Sequence, residues 1–121
     1  MLKNILITGC SSGLGLALTN YYLQKGFKVY GISRNRPDIK NENFIHKSFD
    51  LSNISKIKEE LSAFILDIKE INTVFLNAGM LGKIKILSEL SIEELNEVYA
   101  LNVYANKELL DILMNIKVEN I

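Results

Sequence analysis

Apolar residues fall along this chain in two alternating patterns, short continuous runs and longer stretches of helical period. Asn4-Ile5-Leu6-Ile7-Thr8 is a β-branched run bounded by Gly9, the pattern of a buried strand. The loop from Gly9 to Gly13 then opens a helix at about Leu14. Leu14, Ala17, Leu18, Tyr21 and Tyr22 recur at i, i+3, i+4, i+7 and i+8, which predicts that they form the helix's buried face, and Gly26 stops it. Lys28 to Ser33 predicts a second strand. The polar stretch from Arg34 to Asn43 contains Pro37, which argues against a long helix there. Phe44 to Phe49 predicts a third strand. Asp50-Leu51-Ser52-Asn53 supplies capping residues for a helix with Ile54, Ile57, Leu61, Phe64, Ile65 and Ile68 on one face. Thr73 to Leu76 predicts a fourth strand, followed by Asn77-Ala78-Gly79 and a loop. Ser91 and Glu94 form an S-x-x-E capping box for a long helix reaching about Asn115.

The order β-α-β-β-α-β-α predicts an α/β fold with a mostly parallel, doubly wound sheet covered on both faces. Right-handed crossovers give strand order 3-2-1-4, with the sheet ending after its fourth strand and following helix. No internal repeat, low-complexity tract or linker interrupts the 121 residues, so 1–121 reads as one domain.

Composition narrows the function classes. Fourteen Lys+Arg balance fourteen Asp+Glu, and the charges are scattered, so no basic footprint for nucleic acid or anionic membrane is visible. Apolar runs fall far short of the roughly 20 residues a membrane span needs. No signal peptide is recognisable. The single cysteine, Cys10, excludes an internal disulfide and a cysteine-rich metal site. A neutral, soluble, cytoplasmic domain without a metal is the expectation.

The candidate chemistry lies first in the glycine loop. Gly9, Gly13 and Gly15 sit between strand and helix, where backbone N–H groups and a helix N-terminus attract phosphate. Ser11 and Ser12 add hydroxyl donors. A plain connecting turn would need only the glycines; strand, helix and hydroxyls together favour a dinucleotide site. Thr8-Gly9-Cys10-Ser11-Ser12-Gly13-Leu14-Gly15 resembles the T-G-x-x-x-G-x-G cofactor motif of short-chain dehydrogenases/reductases. Asn77-Ala78-Gly79 resembles that family's N-A-G motif, and Asp50-Leu51 its adenine-contacting pair. The resemblance runs over the whole chain and implies a Rossmann-like fold, a nicotinamide dinucleotide and oxidoreduction of a carbonyl or alcohol. It places Gly9, Ser11, Ser12, Gly13, Leu14, Gly15, Ser33, Arg34, Asp50, Leu51, Asn77, Ala78 and Gly79 around the cofactor.

The residue ending the second strand, about 20 positions beyond the glycine loop, meets the adenosine ribose. An acid there binds the 2′-hydroxyl, whereas an arginine suits a 2′-phosphate. Ser33-Arg34-Asn35-Arg36 holds no acid before Asp38, which favours NADP(H) over NAD(H); the competing reading is a pair of solvated arginines.

On the last helix Leu95, Val98, Tyr99, Asn102, Ala105, Leu109, Ile112 and Leu113 share one stripe. Asn102 is thus a polar amide on a core-facing side, satisfied by a backbone group or, as the resemblance implies, the family's catalytic asparagine. Val98 to Ala105 is apolar nearly all round, the pattern of a helix buried on more than one side. The resemblance implies that it packs against a second subunit in a homo-oligomer; the competing reading is a monomer with an apolar surface helix. The resemblance also implies a catalytic serine after a fifth strand and a Tyr-x-x-x-Lys pair. Tyr21 and Lys25 match the latter formally, but lie about 12 Å of helix rise from Gly13, pointing away from the phosphates. Tyr21 is expected in the core. His46 is expected at the surface and Cys10 as a small spacer. The leading reading is the cofactor-binding half of an NADP(H)-dependent oxidoreductase, inactive alone, whose small-molecule substrate belongs to the full-length parent. The rivals are a non-catalytic dinucleotide-binding or assembly module, and a non-functional remnant that aggregates through an uncovered fourth strand.

Overall fold

The computed structural model describes residues 3–79 and 87–121. Five parallel strands, β1 (Asn4–Thr8), β2 (Lys28–Ser33), β3 (Phe44–Ser48), β4 (Glu70–Leu76) and β5 (Lys117–Asn120), form one sheet in the order β3-β2-β1-β4-β5. Side chains alternate across β1. Ile5 and Ile7 join Cys10, Leu23, Val29 and Phe44 beneath helix α1 (Gly13–Gln24), while Leu6 points to the larger core on the opposite face. That core is closed by helices α2 (Ile57–Leu66) and α4 (Ala105–Leu113), through Ile57, Leu61, Ile65, Leu109, Ile112 and Leu113.

Four expectations need correction. A fifth strand is present: its register pairs Glu70 with Lys117, Ile71 with Val118 and Thr73 with Asn120. The fourth strand is therefore not an edge, and the remnant reading loses its uncovered strand. Lys117-Val118-Glu119-Asn120 has one apolar residue, too few for alternation to announce a strand.

The buried side of α1 is Gly15, Thr19 and Leu23, with Leu18 and Tyr22 partly covered; Leu14 and Tyr21 are 66% and 52% exposed. The helix meets the sheet through small residues. Gly15 lets it approach, and the Thr19 hydroxyl folds back to donate to the Gly15 carbonyl at 2.8 Å. Tyr21 is thus not core; Lys25 Nζ lies 5.4 Å from the centre of its ring.

The residues before α2 do not cap it. Ile54–Lys56 forms a 3-10 turn, and neither Asn53 nor Lys56 makes a side-chain cap bond. Asp50 instead accepts from Ser52 within the loop.

The last helix is not uniform. The capping box is real, with Ser91 Oγ accepting from Glu94 N–H at 3.0 Å and Glu94 Oε2 accepting from Ser91 N–H at 3.2 Å. But α3 (Ile92–Tyr99) passes into a π turn over Ala100–Tyr104 before α4. The wider turn breaks the 3.6-residue phase. Leu101 consequently packs on the core, and Tyr99 is 50% exposed. The loop expected between Gly79 and Ser91 lies in part outside the described residues.

Among the described residues, no helix is long and apolar enough to cross a membrane.

Candidate functional site

The carboxyl ends of β1, β2 and β4 are tied together by one buried hydroxyl and its neighbours. Thr8 Oγ1 accepts the backbone N–H groups of Asn77 and Ala78, both at 3.0 Å, and donates to the Phe75 carbonyl at 3.4 Å. Asn77 Nδ2 donates to the Gly9 carbonyl at 3.3 Å, and Gly9 N–H donates to the Ile32 carbonyl at 2.9 Å. These bonds fix the place where the chain leaves β1 for one face of the sheet and β4 for the other. Crevices at such switch points are where open α/β sheets bind ligands.

The glycines are required by contact as much as by conformation. Gly9 has φ +70, and a Cβ on it would lie 3.0 Å from the Ala78 Cα. A Cβ on Gly15 would overlap the Gly9 carbonyl oxygen and sit 2.7 Å from Asn77 Nδ2. Ser12, in extended conformation before α1, makes no side-chain cap bond, and the first turn carries no acid. The first-turn N–H groups of α1 have no intrahelical partner, and the positive end of its dipole faces the loop.

A cleft of about 460 Å³ opens here. Gly9, Ser11 and Ser12 form its wall on the α1 side, and Ile32, Ser33 and Arg34 continue it along the end of β2. Phe49, Asp50, Leu51 and Ser52 close the β3 end; Ala78 and Gly79 form the β4 side, faced by Glu97 and Leu101. Of the residues singled out from sequence, Gly13, Leu14, Gly15, Asn77 and Asn102 are not part of this lining.

Electrostatics within the cleft are local. Asp50 Oδ1 accepts the Ser52 hydroxyl at 2.7 Å and its N–H at 3.0 Å. These bonds hold the Asp50 carboxyl below its ordinary range against the opposing effect of burial, with a smaller contribution from the Arg34 charge. Arg36, by contrast, lies 5.0 Å from the Phe44 ring centre and donates to the Ile39 carbonyl at 3.3 Å. Among the described residues that line the cleft, Arg34 is therefore the cation.

Asn102 is half-buried in the π turn, and a Cβ placed on Gly79 would come within 2.9 Å of its Oδ1. The side-chain amide thus stands directly behind the Asn77-Ala78-Gly79 turn, while the backbone carbonyl of Asn102 accepts from Asn106 Nδ2 at 3.1 Å. Among the described residues no group of His, Cys, Asp and Glu side chains is placed to hold a metal.

Three features escaped the sequence. Thr8 stood inside the motif, yet its clamp on the β4 turn needs the β1–β4 pairing to be known; a polar residue directly after the apolar run Ile5-Leu6-Ile7 was the available signal. Glu97 of α3 and Leu101 of the π turn line the cleft although neither stands in a recognised motif. His46 is not a free surface residue: it is half-buried, with Nε2 2.7 Å from Ser33 Oγ.

Comparison with known proteins agrees with this geometry. A family model for short chain dehydrogenase matches residues 3–116. Benzil reductase ((S)-benzoin forming) of Bacillus subtilis is 33% identical over 104 residues, covering 83% of this chain and 43% of that protein. NADPH-dependent 3-dehydrocapnine reductase of Ornithobacterium rhinotracheale is 28% identical over 114 residues, covering 87% of this chain and 40% of that protein. The crystal structure of a short chain dehydrogenase family protein from Francisella tularensis superposes with a TM-score of 0.85 at 28% identity, over 97% of this chain and 47% of that one. The chain thus spans less than half the length of these relatives. Sequence, topology and match extent agree: this chain belongs to the short-chain dehydrogenase family.

Proposed function

We propose that this chain is the cofactor-binding part of an NADP(H)-dependent oxidoreductase acting on a carbonyl or alcohol. The observation that carries the reading is Arg34, exposed on the cleft at the end of β2, where the segment Ser33 to Pro37 holds no acid to repel a 2′-phosphate. The cradle suits a dinucleotide. Gly9 and Gly15 let the β4 turn and α1 close on the loop, the α1 N-terminus and the Ser11 and Ser12 hydroxyls offer donors to a pyrophosphate, and Asp50 and Leu51 line the adenine end. The NADPH dependence named for the Ornithobacterium relative is in keeping with Arg34.

When bound, the nicotinamide supplies or accepts the hydride of the reaction. The residues of this chain bind and orient. Ala78 and Gly79 line the side of the cleft away from Arg34, with Asn102 directly behind Gly79; the family resemblance puts a proton relay there, and Asn102 is our candidate catalytic residue. The 121 residues contain no Tyr-x-x-x-Lys other than Tyr21–Lys25, whose tyrosine is out on the far part of α1. Turnover therefore requires residues beyond these 121, and the purified chain is expected to oxidise no NADPH against a carbonyl substrate. Tyr99, Val103 and Tyr104 are each about half exposed on one segment, and we assign that surface to contact with a second copy.

Calorimetric titration with NADP⁺ and NAD⁺ tests the cofactor assignment. NADP⁺ should bind about 10-fold or more tightly, the worth of one charge-assisted bond, and Arg34→Ser should abolish the difference. Equal affinities in the native chain would end the assignment.

A further inference from the structure

Ser33 closes β2 beside Arg34 and is 7% exposed. Three groups surround its hydroxyl: Cys10 Sγ donates to it at 3.3 Å, the Asn35 carbonyl lies at 2.7 Å, and His46 Nε2 lies at 2.7 Å. A hydroxyl has one hydrogen and two acceptor positions. The Asn35 carbonyl can only accept, so the Ser33 hydrogen goes there. The Cys10 thiol fills one acceptor position, and His46 can stand at 2.7 Å only by donating from Nε2. Were Ser33 to donate to His46 instead, two oxygens would face each other at 2.7 Å with no hydrogen between them, at a costly site.

This proton accounting has two results. It sets the histidine tautomer, and it leaves the Ser33 hydroxyl with no capacity for a ribose or a phosphate. We propose that His46 is a positioning residue for cofactor discrimination: its Nε2–H bond to Ser33 locks the Ser33–Asn35 turn and so fixes Arg34 at the cleft, while Ser33 makes no bond to the nucleotide. The proposal rests on the reading of Arg34 as the 2′-phosphate group. The register supports it, because β3 pairs His46 with Gly31, the residue two before Ser33, and Ser48 with Ser33 itself. The Phe44 ring, 5.9 Å from the imidazole, holds it from the side. Burial, and secondarily the Arg36 charge, lower the His46 pKa and favour the neutral ring that a single tautomer requires.

His46 is the chain's only histidine, so its ring nitrogens are assigned without ambiguity by ¹⁵N NMR. At pH 7.5 the native protein should show a protonated Nε2 and a bare Nδ1. In titrations, His46→Leu should lose about 2- to 10-fold in NADP⁺ affinity, the range for one hydrogen bond, with NAD⁺ little changed. His46→Gln, whose amide nitrogen reaches a similar place, should restore NADP⁺ binding. An Nδ1–H tautomer, or a leucine variant with full NADP⁺ preference, overturns the proposal. If the native chain shows no preference and the leucine variant weakens both nucleotides alike, the 2′-phosphate reading falls while the positioning of the turn stands.

Discussion

Replacing Thr8 with valine removes one oxygen at almost constant shape, and the structure sets what that oxygen is worth. Thr8 is fully buried, and its Oγ1 accepts two backbone N–H groups, those of Asn77 and Ala78, at 3.0 Å each. A buried donor left without an acceptor costs about 1–3 kcal/mol. Both donors belong to half-buried residues beside the cleft, where water can reach them. The lower part of the range therefore applies to each, and Thr8→Val should destabilise the chain by about 2–3 kcal/mol. Thr8→Ser keeps the oxygen and removes one buried methyl, a loss of about 1 kcal/mol. Equilibrium urea unfolding followed by far-UV circular dichroism measures both, with the m-value as a check that the unfolded state is unchanged. The order native, serine, valine is required. A valine variant within about 0.5 kcal/mol of native, the scatter of ordinary surface changes, would refute the clamp. So would a serine variant weaker than valine. The valine variant should also bind NADP⁺ less tightly, since the Asn77-Ala78-Gly79 turn is held to β1 through this hydroxyl.

Gly15→Ala should cost more stability and more nucleotide affinity than Gly13→Ala, as measured by unfolding and titration. The added Cβ meets the Gly9 carbonyl in the first case and open space in the second, where only the left-handed φ of +53 is penalised, by about 1–2 kcal/mol. Equal effects would deny the close approach of α1 to the β1 turn. Leu61→Ala, at a fully buried contact of α2 with the larger core, should cost about 2–5 kcal/mol in urea unfolding, and a cost below about 1 kcal/mol would contradict the packing. Because burial and the Arg36 charge lower the His46 pKa in the folded chain, the unfolded chain takes up the proton first as pH falls. Stability is then held above the ordinary histidine range and lost as pH drops through it, until the folded form titrates too. Unfolding at pH 7.5 and 5.0 should show a larger acid loss for the native chain than for His46→Gln; parallel losses would refute the linkage.

The strands β1 and β2 were legible to the residue because their apolar centres, Ile5-Leu6-Ile7 and Val29-Tyr30-Gly31-Ile32, are short runs bounded by polar residues, as buried parallel strands read. α1 was legible as a helix but not in its orientation. Its contact with the sheet runs through Gly15 and Thr19, which carry little hydrophobic signal, while Leu14 and Tyr21 carry much and stay outside. The π turn at Ala100–Tyr104 adds no residue type that marks it, so a single period was carried through a helix that changes phase. β5 pairs by backbone bonds with one apolar residue to show for it. At the cleft, the glycine loop and the Asn77-Ala78-Gly79 turn were legible because the backbone itself lines the site, and backbone exposure leaves glycine in the sequence. His46 was not, because the partner that gives it meaning stands at the end of a neighbouring strand.

The central claim, that the cleft receives a nucleotide with its 2′-phosphate at Arg34, is tested most directly by the adenosine end alone. Backbone amide NMR titrations with 2′,5′-ADP and with 5′-AMP compare ligands that differ only in that phosphate. The account predicts shifts at Gly9, Ser11, Ser12, Arg34 and Asp50 with both, and an affinity for 2′,5′-ADP about 10-fold or more higher, the excess vanishing in Arg34→Ser. Equal affinities, or shifts confined to residues away from this cleft, would contradict it.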